Sequence, residues 1–299
     1  IENRIKNIYF TITFDKIEYT LPSYFNSQIK EHLISRNKIL FNTKVKKSFL
    51  HNRYNLIYLD CKATDKKPSL EKNVVNINSR NEGTGTINSL KFVAKNFDNT
   101  KFLRDSKKNI ISLKKSVNSD NVLLIGSGPN SKQLIKMDTN FSDVMVCNSV
   151  IKDTSLMKKF NPKYIVFGDP AWHSGPSKYV QEFKNTLCHT LDKYDSTVIT
   201  VERDAHIIKE YMPESFHKNF IFIPFVKTNK KTNLNYNLNK NFYVAGTNNI
   251  LTLLMLPVSF YLYKNIFFAG FDGNPDENKT YFWKHNPSQQ FGNEFTSQE

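Results

Sequence analysis

Five consecutive residues in the middle of the chain have the types and spacing to hold a phosphate: Gly126-Ser127-Gly128-Pro129-Asn130. Two glycines flanking a hydroxyl let the backbone approach a ligand closely and take up φ > 0. A helix starting just beyond would add free N–H groups and the positive end of its dipole. A plain tight turn at a strand end has the same composition, so the motif alone leaves both readings open. Polar residues recur after other short apolar runs: Asn148-Ser149, Asp169, and Asp272 preceded by Gly270. Of the seven histidines, His173 and His285 lie beside these positions. A hydroxyl acceptor needs a base with a pKa near 7, which is usually a histidine. A surface or hydrogen-bonded structural histidine is the alternative for each. Together these residues fit transfer from a nucleotide to a hydroxyl. Negative charge grows on the leaving phosphate, and fixed donors stabilise it: the Gly128 N–H, the Tyr281 hydroxyl and Lys284.

The elements that must position them are legible as short apolar runs. Residues 122–125, 143–147, 163–167, 196–201, 220–224 and 266–269 each read as a strand, and helical patterns separate them. Strands of this kind form a parallel sheet covered on both faces. In such α/β sheets ligands bind beyond the carboxyl ends of the strands. Ser127, Asn148, Asp169 and Asp272 are therefore expected to converge. The spacing of Leu134, Ile135 and Met137 predicts a helix after the glycine turn. The longest apolar window, residues 250–263, is broken by Pro257 and Ser259 and reads as a buried helix, and no apolar run is long enough to span a membrane.

The 299 residues are 39% hydrophobic and 23% charged, the balance of a folded globular chain with one large or two medium domains. The net charge of +15 is uneven. Residues 1–116 hold 23 Lys/Arg against 10 Asp/Glu, a balance of +13, whereas residues 117–299 hold 19 against 17, a balance of +2. The expected organisation is a basic N-terminal α/β region over 1–116 and a Rossmann-like domain over 117–299. In the first, strands are expected at 8–14, 54–60 and 74–77, helical patterns at 29–40 and 87–97, and a connector with at most one helix or strand in it over 104–120. A basic face attracts anionic lipid, an acidic polymer or nucleic acid, or is simply a solvated lysine surface. No RNA-binding, zinc-finger or helix-turn-helix signature is present, so nucleic acid is not an expected partner. Cys61, Cys147 and Cys188 lack paired spacing, which argues against a disulfide framework and a zinc cluster and for a reducing compartment.

The nucleotide can be narrowed by elimination. Ser131 stands where a dinucleotide fingerprint has its third glycine, and the second strand ends in Asn148 rather than an acid, which disfavours NAD. No Gly-Lys-Ser/Thr P-loop occurs. No Asp-x-Asp pair occurs in residues 117–299 to carry a metal-bound diphosphate. A donor with one phosphate, needing neither metal nor cofactor, fits best.

Taken in order, several motifs resemble the bacterial sialyltransferases of glycosyltransferase family 42 over residues 121–285. They are Gly126-Ser127-Gly128-Pro129-Asn130, Cys147-Asn148-Ser149, Phe167-Gly168-Asp169-Pro170, Gly246-Thr247 ahead of an apolar helix, Phe268-Ala269-Gly270-Phe271-Asp272, and Tyr281. The resemblance implies a metal-independent, inverting transfer of an acidic sugar from its cytidine monophosphate (CMP) ester to a surface glycan of the capsule or lipooligosaccharide kind. The sugar would be sialic acid, a related nonulosonic acid or Kdo. It implies that Ser127 and Asn148 contact phosphate and ribose, and that Thr247 stands in for a serine. Tyr281 would steady the leaving phosphate. Asp169 replaces an asparagine and would face ribose hydroxyls. The base implied is His285 or a residue beyond Glu299. The expected setting is cytoplasmic or peripheral on the inner membrane, with the basic region against anionic lipid or an acidic acceptor; a homo-oligomer is compatible with the sequence. Two other readings stand beside it: a transferase using another nucleotide donor, and a non-catalytic glycan- or partner-binding module on a degenerate nucleotide fold.

Overall fold

A computed structural model describes residues 98–169, 173–174, 178–226 and 235–272, together with four short strands nearer the N-terminus. Those strands are β1 (Phe10–Thr13), β2 (Ile39–Phe41), β3 (Ile57–Leu59) and β4 (Val74–Asn76). They form a parallel sheet in the order β2-β1-β3-β4. Three fall on the predicted strands. The fourth corrects the end of the helical pattern read over 29–40, where Ile39 pairs with Phe10 and Leu40 with Thr11; residues 29–38 and the helical pattern read over 87–97 lie outside the described residues. A run of Ile-Leu-Phe suits a buried strand as well as a helix, and pairing with β1 decides between them.

The main sheet has six strands, all parallel: β5 (Asn121–Ile125), β6 (Val144–Cys147), β7 (Tyr164–Val166), β8 (Thr197–Val201), β9 (Phe220–Ile223) and, beyond a two-stranded pair β10 (Phe225–Val226) and β11 (Val244–Ala245), β12 (Asn265–Ala269). Their order is β12-β5-β6-β7-β8-β9. This is the predicted α/β architecture with a Rossmann-like sheet. From β5 to β9 the chain steps in one direction. Right-handed crossovers then put the intervening helices on one face, and the return to β12 puts its helix on the other.

Side chains follow that geometry. Leu123, Ile125, Val144, Val146, Ile165 and Val198 pack with Phe160 of α2 (Thr154–Phe160), Phe183 and Leu187 of α3 (Lys178–Lys193), and Ile208 of α4 (Ala205–Tyr211). Their neighbours in alternation, Val122, Leu124, Met145, Tyr164, Val166 and Ile199, face Ile110 of α1 (Thr100–Ser116) and Val258 and Leu262 of α5 (Leu256–Leu262). The period of two along each strand thus divides the core into two layers.

Two elements sharpen their sequence reading. The connector read over 104–120, with room for one helix or strand, is mostly the single helix α1, which packs along β9. There the Phe222 N–H donates to the Ser106 hydroxyl at 2.9 Å, so a side chain satisfies a backbone group on an edge strand. The boundary drawn on charge at residue 116 therefore falls at the end of a helix that packs on the C-terminal sheet. The buried helix read over 250–263 is present and passes through Pro257. A π turn (Leu251–Met255) precedes α5, which carries Pro257 in its first turn, where a missing N–H is tolerated. Among the described residues no helix is long and apolar enough to cross a membrane.

Candidate functional site

Parallel register aligns the carboxyl ends of the central strands. Ile125 pairs with Val146, Cys147 with Val166, and Val166 with Ile199. The residues that follow, around Ser127, Asn148, Gly168 and Arg203, therefore stand side by side along one edge of the sheet. Asp272 follows β12 at the same edge. The convergence expected of the post-strand residues is present, but their roles divide.

The glycine turn is closed onto its own chain. The Gly126 N–H donates to the Ala269 carbonyl and the Gly128 N–H to the Gly270 carbonyl, each at 2.8 Å. The Asn130 N–H donates to Asp272 Oδ2 at 3.0 Å, and the Asn130 amide reaches the other carboxylate oxygen. A Cβ on Gly126 would meet the Phe271 ring at 2.9 Å, and one on Gly128 the Gly270 carbonyl oxygen at 2.7 Å. Gly270 itself has φ +72°. Glycine is required here because two loops approach each other, and the Gly128 N–H expected on a phosphate is spent on Gly270. Asp272 braces this contact through Asn130. Beyond Pro129 the chain forms a seven-residue 3₁₀ segment (Pro129–Ile135) instead of the predicted α-helix. Leu134 is buried, but Ile135 and Met137 are exposed, and the Lys159 ammonium donates to the Leu134 carbonyl at 2.7 Å. The helix-dipole part of the phosphate reading is thereby corrected. Ser127 remains half-buried beside Cys147, whose thiol accepts its N–H. Burial pushes that thiol up to about 12, which makes it inert at neutral pH.

Asn148 is the unusual residue of this edge. Its φ is 49°, in the left-handed region that asparagine tolerates better than most residues. Its side-chain oxygen is buried and has no hydrogen-bond partner. Strained backbone and an unmet acceptor at a strand's carboxyl end are features that functional sites retain. Ser149, its neighbour, is buried in the following 3₁₀ segment (Asn148–Lys152), so the motif offers Asn148 and not both residues.

His173 does not serve as the base the sequence allowed. It is 2% exposed, and its ring lies 5.2 Å from the Phe167 ring and 4.6 Å from the Phe183 ring. Its Nδ1–H donates to the Asp169 carbonyl at 2.8 Å, and its backbone N–H to the same oxygen at 3.0 Å. Burial among the rings pulls its pKa down to about 3, so it is neutral across the physiological range. Asp169 holds this loop through its backbone, while the residue itself is exposed at the edge of the site.

The helix after Gly246-Thr247 leans over β7. A Cβ on Gly168 would come within 3.0 Å of Leu253 and 3.4 Å of Leu254. The Thr247 hydroxyl donates to the Asn249 carbonyl at 3.1 Å and accepts from Thr252 at 2.9 Å, so its proton is used in forming the helix start.

Sequence reasoning passed over Arg203. It stands two residues past β8, where the rule applied to the other strands would have flagged it. Its Nε donates to Asp204 Oδ1 at 2.7 Å, its Nη2 to the Gly168 carbonyl at 3.2 Å, and its guanidinium lies 5.6 Å from the centre of the Phe225 ring. Asp204 is fully buried and also accepts from the Ser174 hydroxyl at 3.1 Å. Burial raises its carboxyl pKa, against the pull of Arg203 and the two hydrogen bonds.

No protein-family model, curated protein or solved structure matches this chain. Tyr281, Lys284 and His285 lie outside the described residues. Among the described residues no group of three or more His, Cys, Asp or Glu side chains could hold a metal ion.

Proposed function

We propose that the carboxyl edge of the six-stranded sheet binds a CMP-activated acidic sugar and that the protein transfers the sugar to a glycan hydroxyl without a metal. The observation that carries this reading is Asn148. A buried amide oxygen without a partner needs a donor, and its cost is relieved when one arrives. A phosphate brings none. A ribose hydroxyl or the exocyclic amine of cytosine does, so Asn148 is assigned to the nucleoside and the Ser127 hydroxyl to the phosphate. Asp169, exposed at the same edge, is proposed to meet the ribose hydroxyls. Tyr281 is proposed to donate to the leaving phosphate and His285 to act as the base, since His173 is buried and neutral.

The test is calorimetric binding of CMP, CDP, UDP, ADP and NAD, each with EDTA and with Mg²⁺, to the wild type, Asn148→Gly and Asn148→Ala. CMP binding in EDTA, weakened about tenfold in both variants through loss of one hydrogen bond, is the expected result. Asn148→Gly keeps the left-handed backbone without strain and should fold as well as the wild type, so its loss of binding reports the side chain. A Mg²⁺-dependent preference for UDP or CDP would overturn the reading in favour of a metal-dependent transferase. CMP binding without turnover of any CMP-sugar would favour a binding module.

A further inference from the structure

We infer that Arg203 is the oxyanion receptor of this site, taking a negatively charged oxygen pair of the donor. The inference rests on the nucleotide reading of the same edge and adds to it the group that meets the donor's charge.

The guanidinium is fixed on three sides. The buried Asp204 carboxylate holds Nε at 2.7 Å, the Gly168 carbonyl takes Nη2 at 3.2 Å, and the Phe225 ring lies near it at 5.6 Å. Asp204 is itself held by Ser174 at 3.1 Å. Nη1 makes no hydrogen bond with any described residue, and the Arg203 side chain is 15% exposed. An arginine carries five N–H donors in a rigid fork suited to carboxylate and phosphate, and here the two on Nη1 are left over. An ion pair kept only for stability at this burial gains little over an apolar pair of the same volume, because desolvation offsets the attraction. A buried carboxylate that orients an arginine and leaves one edge of its fork open is the arrangement of a pre-organised anion site.

Position supports the assignment. Arg203 follows β8 and Asn148 follows β6, with β7 between them, so the two backbones stand about 10 Å apart at ordinary strand spacing. Nη2 bonds Gly168, the residue after Phe167 at the end of that middle strand. Ser127 stands on the β5 side of Asn148 and Arg203 on the β8 side. The donor is taken to run from Asn148 towards β8, so that its charged end meets Arg203 rather than Ser127. Phosphate and sugar carboxylate are both oxyanions of the donor, and either satisfies the same two N–H groups.

The experiment measures affinities of cytidine, CMP, CMP-N-acetylneuraminic acid and inorganic phosphate for the wild type, Arg203→Lys and the double variant Arg203→Gln/Asp204→Asn. The double variant removes both charges together, so no buried carboxylate is left unpaired, and thermal melting checks that it folds. Loss of about ten- to hundredfold for CMP with cytidine unchanged assigns the phosphate to Arg203. Loss confined to the CMP-sugar, with CMP unchanged, assigns the sugar carboxylate. Folded variants that bind all four ligands like the wild type overturn the inference while leaving the nucleotide site standing. A wild type that binds phosphate through Arg203 but neither cytidine nor CMP overturns the nucleotide reading and keeps the oxyanion receptor. No binding of any ligand overturns both.

Discussion

Lowering the pH from 7 to 5 should destabilise the protein through His173, a residue the sequence offered as a base. Its folded pKa is about 3, because burial between the Phe167 and Phe183 rings disfavours the imidazolium. In the unfolded chain the same ring titrates near 6.5. The folded value is depressed for a base, so below about 6.5 the proton prefers the unfolded chain. Stability is therefore lost as pH falls from about 6.5 towards 3, at up to about 1.4 kcal/mol per pH unit. Integrated between pH 7 and 5 the loss is about 2 kcal/mol, a large share of the stability of an ordinary domain. Other groups also titrate in this window, so the comparison is with His173→Asn. Asparagine can donate to the Asp169 carbonyl in place of Nδ1–H but takes up no proton in this range. Urea unfolding at pH 7 and 5 should show the wild type losing about 2 kcal/mol more than the variant. Equal losses would refute the argument. They would mean that His173 is charged in the folded state, and the buried-ring account would fail with it.

Two further outcomes follow from the same packing. Gly128→Ala should destabilise by about 1–3 kcal/mol in urea, because its Cβ would run into the Gly270 carbonyl and the Asp272 carboxylate. Unchanged stability with lost CMP binding would return the glycine to a ligand role. Thr200 is fully buried in β8 with a hydroxyl that has no partner, so Thr200→Val should raise the urea midpoint by about 1 kcal/mol of stability at unchanged m-value. A fall would show that the hydroxyl is satisfied in solution.

The architecture was legible in the chain because it is written locally. Val122-Leu123-Leu124-Ile125 and the later apolar runs bury both faces of a strand wherever the sheet lies, and short strands alternating with helical stretches have few other arrangements. Polar residues after those strands had to gather at one edge for the same reason. Local pattern did not separate helix from strand at Ile39-Leu40-Phe41, since three apolar residues fit either period. Nor did it say what Gly126 and Gly128 are for. Glycine answers to close approach, and whether the approaching group is a ligand or the Gly270 carbonyl depends on residues more than 140 positions away. His173 shows the same limit: its proton affinity is set by Phe183 and by burial, neither of which its sequence neighbours reveal. Asn148 was chosen from its place after a strand, but its left-handed backbone and unmet buried oxygen belong to the fold. Arg203 became a candidate only when Asp204, Gly168 and Phe225 were seen to hold it. Strand and helix periods are short-range properties of the chain, so the sequence by itself determined the sheet and the gathering of polar residues at its carboxyl edge. Hydrogen-bond partners and desolvation arise between distant segments, so only the tertiary structure decided which residues on that edge are open to a ligand.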